Sequence, residues 1–281
     1  MADALMGVTE TSAAGFDVVA GVVQNYLQQE SKMLPLVMDY SNYVVKGAKS
    51  VAIPRSGGFT VGSKSENTAL DAQIITYAQD KIDLTSHKAV QFLLEDIADM
   101  QAAPAIVEDA LMKAGKDLAR DIDQTIINAL ELPSASAPDH RIAYAATTTI
   151  AEADILDARE LLMNQYVDPR ECYLSIKPDQ EKAMLKIANF IQAERYGNNE
   201  PILNGEIGRV FGVRVIVHTD CESLKSLMWH PSALGFARQQ GLTIESQRDL
   251  SQLGTRWSVS HLFGTKLLDS GKRNVLIGTA S

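Results

Sequence analysis

The chain is short of several things that would have told its function quickly. Among 281 residues there are two cysteines, Cys172 and Cys221, too few for a disulfide framework and in keeping with a reducing compartment. Basic residues are outnumbered: 26 Lys and Arg against 35 Asp and Glu give a net charge of −9. A protein that grips phosphate backbones needs a basic surface, so that class is disfavoured, although enclosure of nucleic acid is not. No uncharged apolar run reaches the ~18 residues of a membrane span. Met1 to Thr11 carries neither the basic start nor the apolar run of a signal peptide, so a soluble intracellular product is expected. What remains, 46% hydrophobic and 22% charged, has the composition of an ordinary globular protein with ample core.

The motifs of catalysis are missing too. His87, His140, His218, His230 and His261 are scattered, with no second histidine or cysteine close enough to make a zinc ligand pair. There is no G-x-S-x-G elbow and no G-x-x-x-x-G-K-[ST] phosphate loop. Gly205, Gly208 and Gly212 precede an apolar strand instead of linking a strand to a helix, so they read as structural turn glycines and not as a dinucleotide fingerprint. Glu95 with Asp99, and the group Asp117, Asp121 and Asp123, read as solvated faces, with a bridging cation as the sharper alternative. Lys177, Lys182 and Lys186 form a turn-spaced basic face whose sharper alternative is an electrostatic contact to a neighbour. No catalytic residue, metal or cofactor is expected.

What is there is an unusual order of parts. Residues 1–49 are poorly periodic: Phe16 to Leu27 suits a short amphipathic helix, and Met33-Leu34-Pro35-Leu36-Val37 carries a proline that sends the chain extended, as in an arm. Residues 50–90 read as a β-hairpin: Val51 to Arg55 leads out, a Gly- and Ser-rich tip spans Ser56 to Asn67, and Ile75 to Leu84 alternates back. Such a hairpin cannot bury its own faces. Phe92 to Asp99 is expected as a short helical element. Pro104 then opens a helix that runs to Leu132, about 43 Å at 1.5 Å per residue, with Val107, Leu111, Ala114, Leu118, Ile122, Ile126 and Ala129 as one apolar stripe. After a break at 133–138 comes a mixed region. It holds a helix capped by Thr149, a strand over 171–176, a helix from Pro178 through Ile191, a strand over 213–217 and another over 226–229. Two alternating runs, 242–245 and 255–263, are joined by a polar loop around Asp249, and the tail ends in Val275-Leu276-Ile277.

Taken together these parts resemble the major capsid proteins of tailed bacteriophages, the Hong Kong 97 fold. Phe92 to Asp96 is similar to that family's lead into its spine helix, and Ile155 to Leu162 to the first helix of its axial domain. Tyr173 to Pro178 resembles its strand-to-helix step, and Gly205 to Val215 its turn into the central strand. The resemblance implies an α+β fold in four parts. These are an N-terminal arm (1–49), an extended β-hairpin loop (50–90), a peripheral domain with the spine helix (91–132 and 232–263), and a mixed α/β axial domain (133–231 and 264–281). It implies a non-enzymatic subunit that forms hexamers and pentamers of an icosahedral shell, assembled in the host cytoplasm and located in the virion. That shell encloses double-stranded DNA without sequence-specific binding and without a membrane. The short run from Met1 to the arm implies a separate scaffolding protein; a portal protein and a decoration protein are further partners of this kind of shell. Phe59, Val61, Lys64 and Glu66, at the extended-loop tip, are the implied inter-subunit contacts. An encapsulin-like cellular nanocompartment uses the same fold and stands as the alternative, with a cytosolic oligomeric α/β enzyme behind it.

Overall fold

The structure is a computed structural model; it describes residues 31–67, 69, 72–97, 106–136, 138–145, 148–186 and 208–278. The expected helix over 16–27, Asp99, Ile187, Ile191 and Gly205 lie outside the described residues.

The long helix is there as α1, Ile106–Leu130, and its stripe does what a single apolar stripe on a long helix must do, which is to lie across other elements. Leu111, Ala114, Leu118, Ile122 and Ile126 are all buried. They pack in one cluster that draws on two sheets, with Phe236, Val259 and Phe263 from one and Leu227, Trp229 and Leu276 from the other. Asp117, one residue off the stripe, is exposed. The side-chain amide of Asn274 donates to the carbonyl of Leu130, satisfying one of the orphan acceptors at the helix end.

The first sheet has the order β1-β10-β11-β4: β1 (Met38–Asp39), β4 (Ser86–Glu95), β10 (Leu234–Asp249) and β11 (Gly254–Leu267). Its two long strands run further than the alternating stretches alone indicate, because Leu234 to Ala237 is buried and non-alternating, as in an inner strand. The second sheet, order β5-β12-β9-β6-β8-β7, is made of β5 (Arg141–Ile142), β6 (Tyr173–Ile176), β7 (Arg209–Val210), β8 (Val213–Val217), β9 (Lys225–Trp229) and β12 (Asn274–Gly278). Period-2 alternation splits its side chains between two cores. Tyr173, Leu227, Trp229 and Leu276 face α1. Leu174, Ile176, Met228, Val275 and Ile277 face the opposite way, against Ile155, Ala158 and Leu162 of α2 (Glu152–Asn164) and Met184 of α3 (Pro178–Met184).

Several expectations need correction. Phe92 to Glu95 is the end of strand β4, not a helix; Phe92 and Trp257 lie opposite each other with ring centroids 6.4 Å apart. An apolar run this short has no period of its own, so the strand partner in β11 decides it. Met33 to Val37 is no free arm: a short 3-10 turn at Leu34–Leu36 holds Met33 and Val37 buried in the main core. Helix α2 begins after Ala151, not at Thr149. Its own Asp154 carboxylate accepts from the backbone N–H groups of Ala145 and Ala151, both at 2.8 Å. Pro231, whose residue type suits the start of a short helix, opens only a single 3-10 turn, Pro231–Ala233, that leads straight into β10.

Candidate functional site

The feature that most needs explaining is the pair β2 (Ser50–Ser56) and β3 (Tyr77–Asp83). It is a two-stranded antiparallel ribbon in register from Ser50 opposite Asp83 to Ser56 opposite Tyr77. Its base packs its apolar side chains on the body of the subunit. Val51, Ile82 and Leu84 are buried there with Ala237, beside Tyr40, Val44 and Ile53. Two glycines let the backbones meet: a Cβ on Gly264 would come within 2.2 Å of the Asp83 carbonyl oxygen, and one on Gly235 within 2.8 Å of Ile82 Cδ1. Pro54 sits in β2 with no further strand on its outer side, where its missing N–H costs nothing.

Toward the tip, no described residue of the body covers the ribbon's apolar side chains. Its two legs still hold each other: Gly57 N–H donates to Thr76 O at 2.7 Å, and the Gln73 amide bridges Thr60, taking its N–H at 2.8 Å and donating to its carbonyl. Yet Phe59 is 62% exposed, Val61 96% and Ile74 91%, with Tyr77 exposed behind them and Lys64 and Glu66 at the tip. A row of exposed aromatic and β-branched residues on a thin ribbon is unfavourable in water.

Elsewhere among the described residues, the groups that could carry chemistry have structural uses. Glu95 ends a strand, so the expected pairing with Asp99 on a helix face does not arise; Asp96 forms a bidentate ion pair with Arg248, which holds its carboxyl below the usual range. Asp121 meets Lys88 at 3.1 Å. Asp123, buried on α1, accepts from Ser31 Oγ (2.5 Å), Lys32 N (2.9 Å), Met33 N (3.1 Å) and His218 Nε2 (3.3 Å). His218 Nδ1 accepts from the Asp220 N–H, which fixes the tautomer that donates to Asp123. Sequence reasoning missed this anchor because three of its four donors lie some ninety residues earlier, in a segment marked only by a proline. Lys177, at the head of α3, donates to Ser223 Oγ at 2.8 Å, and Lys182 and Lys186 stay exposed. Both thiols are buried, and burial pushes Cys172 up to about 12 and Cys221 up to about 11, so neither is a nucleophile. Burial lowers His261 to about 4. Among the described residues no group of three or more His, Cys, Asp or Glu is arranged to hold a metal, and no helix is long and apolar enough to cross a membrane.

Of the turn glycines, Gly212 has the clearest reason. It and Phe211, at φ 88° and 50°, form the two-residue loop between β7 and β8, where Val210 pairs with Val213. Positive φ at both positions is the type I′ hairpin turn, and glycine is favoured in it. Gly208 leads into β7 with open space where a Cβ would stand, and its φ is not left-handed.

Comparison with known proteins fits this architecture. A family model described as phage capsid protein matches residues 78–273, more than two-thirds of the chain. The chain belongs to the phage capsid protein family. It has the α+β Hong Kong 97-type fold. Among solved structures, that of Mycobacterium phage Che8 superposes with a TM-score of 0.74 at 18% identity, covering 88% of this chain and 90% of that one. The capsid of cyanophage P-SCSP1u gives 0.71 at 15% identity, covering 88% and 87%. A virus-like particle from Pyrococcus furiosus gives 0.57 at 14% identity, covering 93% and 98%. The sequence matches no curated protein. The protein is a structural subunit of a phage capsid; the family match favours this over an encapsulin-like compartment or an oligomeric enzyme.

Proposed function

We propose that the subunit assembles with copies of itself into the hexamers and pentamers of an icosahedral shell around double-stranded DNA. The β2–β3 ribbon is its inter-subunit arm. One observation carries this: the ribbon exposes Phe59, Val61 and Ile74 while burying only its base. Anchors of this kind gain their energy from a pocket on a neighbour, and Lys64 and Glu66 form the polar rim around them. Residues 91–132 and 232–263 then serve as the peripheral domain, and 133–231 with 264–281 as the axial one. The net charge of −9 suits a wall that encloses packed DNA without clinging to it, and neither a cofactor nor a membrane is involved. The subunit has no catalytic task. Its partners are a separate scaffolding protein and a portal protein, with a decoration protein as an optional addition; assembly takes place in the host cytoplasm and the product resides in the virion.

The register gives a clean test. Because Ser56 faces Tyr77, residues 57–76 can be replaced by Asn-Gly, a two-residue turn that closes the ribbon without its tip. Shortening the loop changes closure entropy by under about 2 kcal/mol, so the free subunit should fold with a melting temperature altered by a few degrees. Particles in cells expressing the phage structural genes should be lost or irregular in electron micrographs. Normal shells from this variant would refute the role of the ribbon.

A further inference from the structure

The ribbon does not leave the subunit freely. Just outward of the contacts at Gly235 and Gly264 it meets a strained turn in which Asp269, Ser270 and Gly271 all have left-handed φ, at 51°, 53° and 74°. Left-handed backbone is disfavoured for residues with a Cβ and persists where the surroundings hold it. Here they do. The Gly271 carbonyl accepts from Ser134 N–H, and a Cβ on Gly271 would come within 2.8 Å of that nitrogen. Held in this way, Asp269 grips both legs of the ribbon: its backbone N–H donates to the Asp80 carboxylate of β3 at 3.0 Å, and its own carboxylate pairs with the Arg55 guanidinium of β2. Arg273, whose Nε lies 3.8 Å from the second Asp269 oxygen, steadies the carboxylate and is itself tied to Ser232 Oγ at 2.7 Å.

We propose that Asp269 is the positioning residue that sets the angle at which the ribbon leaves the subunit, and so where its tip meets the neighbouring copy. The inference rests on the reading of the ribbon as an inter-subunit arm. The ribbon behaves as a lever. Its fulcrum is the pair of close approaches at Gly235 and Gly264, its latch is the Asp269 grip on Arg55 and Asp80, and its load is Phe59 and Val61 farther out. A small displacement at the latch is magnified at the tip. One contact of the latch is an ion pair at partly exposed side chains, so it is weakened by salt, whose screening length falls to ~3 Å at 1 M.

The test uses the full chain carrying spin labels at Ser63→Cys, on the tip, and Gln124→Cys, on an exposed position of α1. The native thiols are buried and protonated, and do not compete for the label. Asparagine tolerates left-handed backbone, so Asp269→Asn keeps the turn and the N–H to Asp80 while removing the charge that Arg55 needs. The wild type should give one narrow distance distribution that broadens at high salt. Asp269→Asn should give a broad one at all salt concentrations, and Arg55→Lys, which keeps the charge, should stay near wild type. Particles from Asp269→Asn should lose their single size in electron micrographs. Should that variant be insoluble, Asp80→Ala removes the acceptor of the other contact and must broaden the distribution likewise. An unchanged distribution, or a broadened one with shells of uniform size, overturns the proposal. If the tip replacement abolishes assembly while Asp269→Asn builds uniform shells, only the latch fails; if the tip replacement builds normal shells, the reading of the arm fails first.

Discussion

Replacing Asp123 tests how the N-terminal segment is fastened to the body of the subunit. In the native structure one buried carboxylate accepts from the Ser31 hydroxyl, from the backbone N–H groups of Lys32 and Met33, and from His218. Asp123→Ala removes the acceptor and leaves those donors facing an apolar hole, at about 1–3 kcal/mol for each buried group left unpaired. The chain has a cheaper way out, which is to let residues 31–37 detach and hydrate. That sets a ceiling on the loss, since detachment gives up the buried Met33 side chain, about 2–3 kcal/mol, and the hydrogen bonds already lost. A net shift of about 3 kcal/mol toward the detached state is expected, and at 1.4 kcal/mol per tenfold change this raises its population by more than about a hundredfold. Trypsin reads this directly, because Lys32 lies in the segment and cleavage there tracks the open population when closing is fast. Cleavage after Lys32 should accelerate strongly in Asp123→Ala while α1 and both sheets keep their circular dichroism. If Lys32 is cut no faster in the variant than in the wild type, the carboxylate is not what holds the segment.

Three further outcomes are expected. Leu118→Asp places an unpaired charge in the stripe of α1 and should leave no soluble folded chain, whereas exposed Asp117→Ala should stay within about 0.5 kcal/mol of wild type in urea melts; equal behaviour of the two would mean the phase of the helix is wrong. Gly212→Val forces a β-branched residue to a φ near 88° with no steric contact to relieve, and should cost about 2 kcal/mol in the same melts, with Gly212→Asn costing distinctly less. His261 is buried and lowered to about 4, so the unfolded chain binds the extra proton between its ordinary value and that one. Its contribution is complete above about pH 6.5 and is lost as pH falls toward 4, by about 3 kcal/mol; His261→Phe should flatten that part of the stability profile, and an unchanged slope would assign it to other groups.

How much of this was legible in the sequence follows from how local each interaction is. The stripe of α1 repeats over about six turns, and no other arrangement satisfies Leu111, Leu118 and Ile126 at once. The ribbon was legible from its glycines and its alternation, and its exposed Phe59 and Val61 from the absence of any pattern that would bury them. Phe92 to Glu95 was misread because its partner in β11 lies about 160 residues on. Met33 was misread for the same reason: Pro35 marks a break, but only Asp123, on another element, turns that break into a buried anchor. Asp269 left no trace, since an aspartate, a serine and a glycine in a loop look alike whether or not they grip a lever.

The placement of the last strands bears on how the chain is made. β11 lies between β10 and β4 in one sheet, and β12 between β9 and β5 in the other, so residues 254–278 are inserted into the interior of both. Until they leave the ribosome, β4 has no partner on its β11 side and the second sheet is split. The base on which the ribbon pivots is incomplete as well, because Gly264 belongs to β11. A nascent chain that lacks residues 254–278 therefore carries no rigidly based ribbon. On the reading of the ribbon as an inter-subunit arm, synthesis by many ribosomes on one message, which crowds identical chains together, is separated in time from polymerisation until residues 254–278 have been translated.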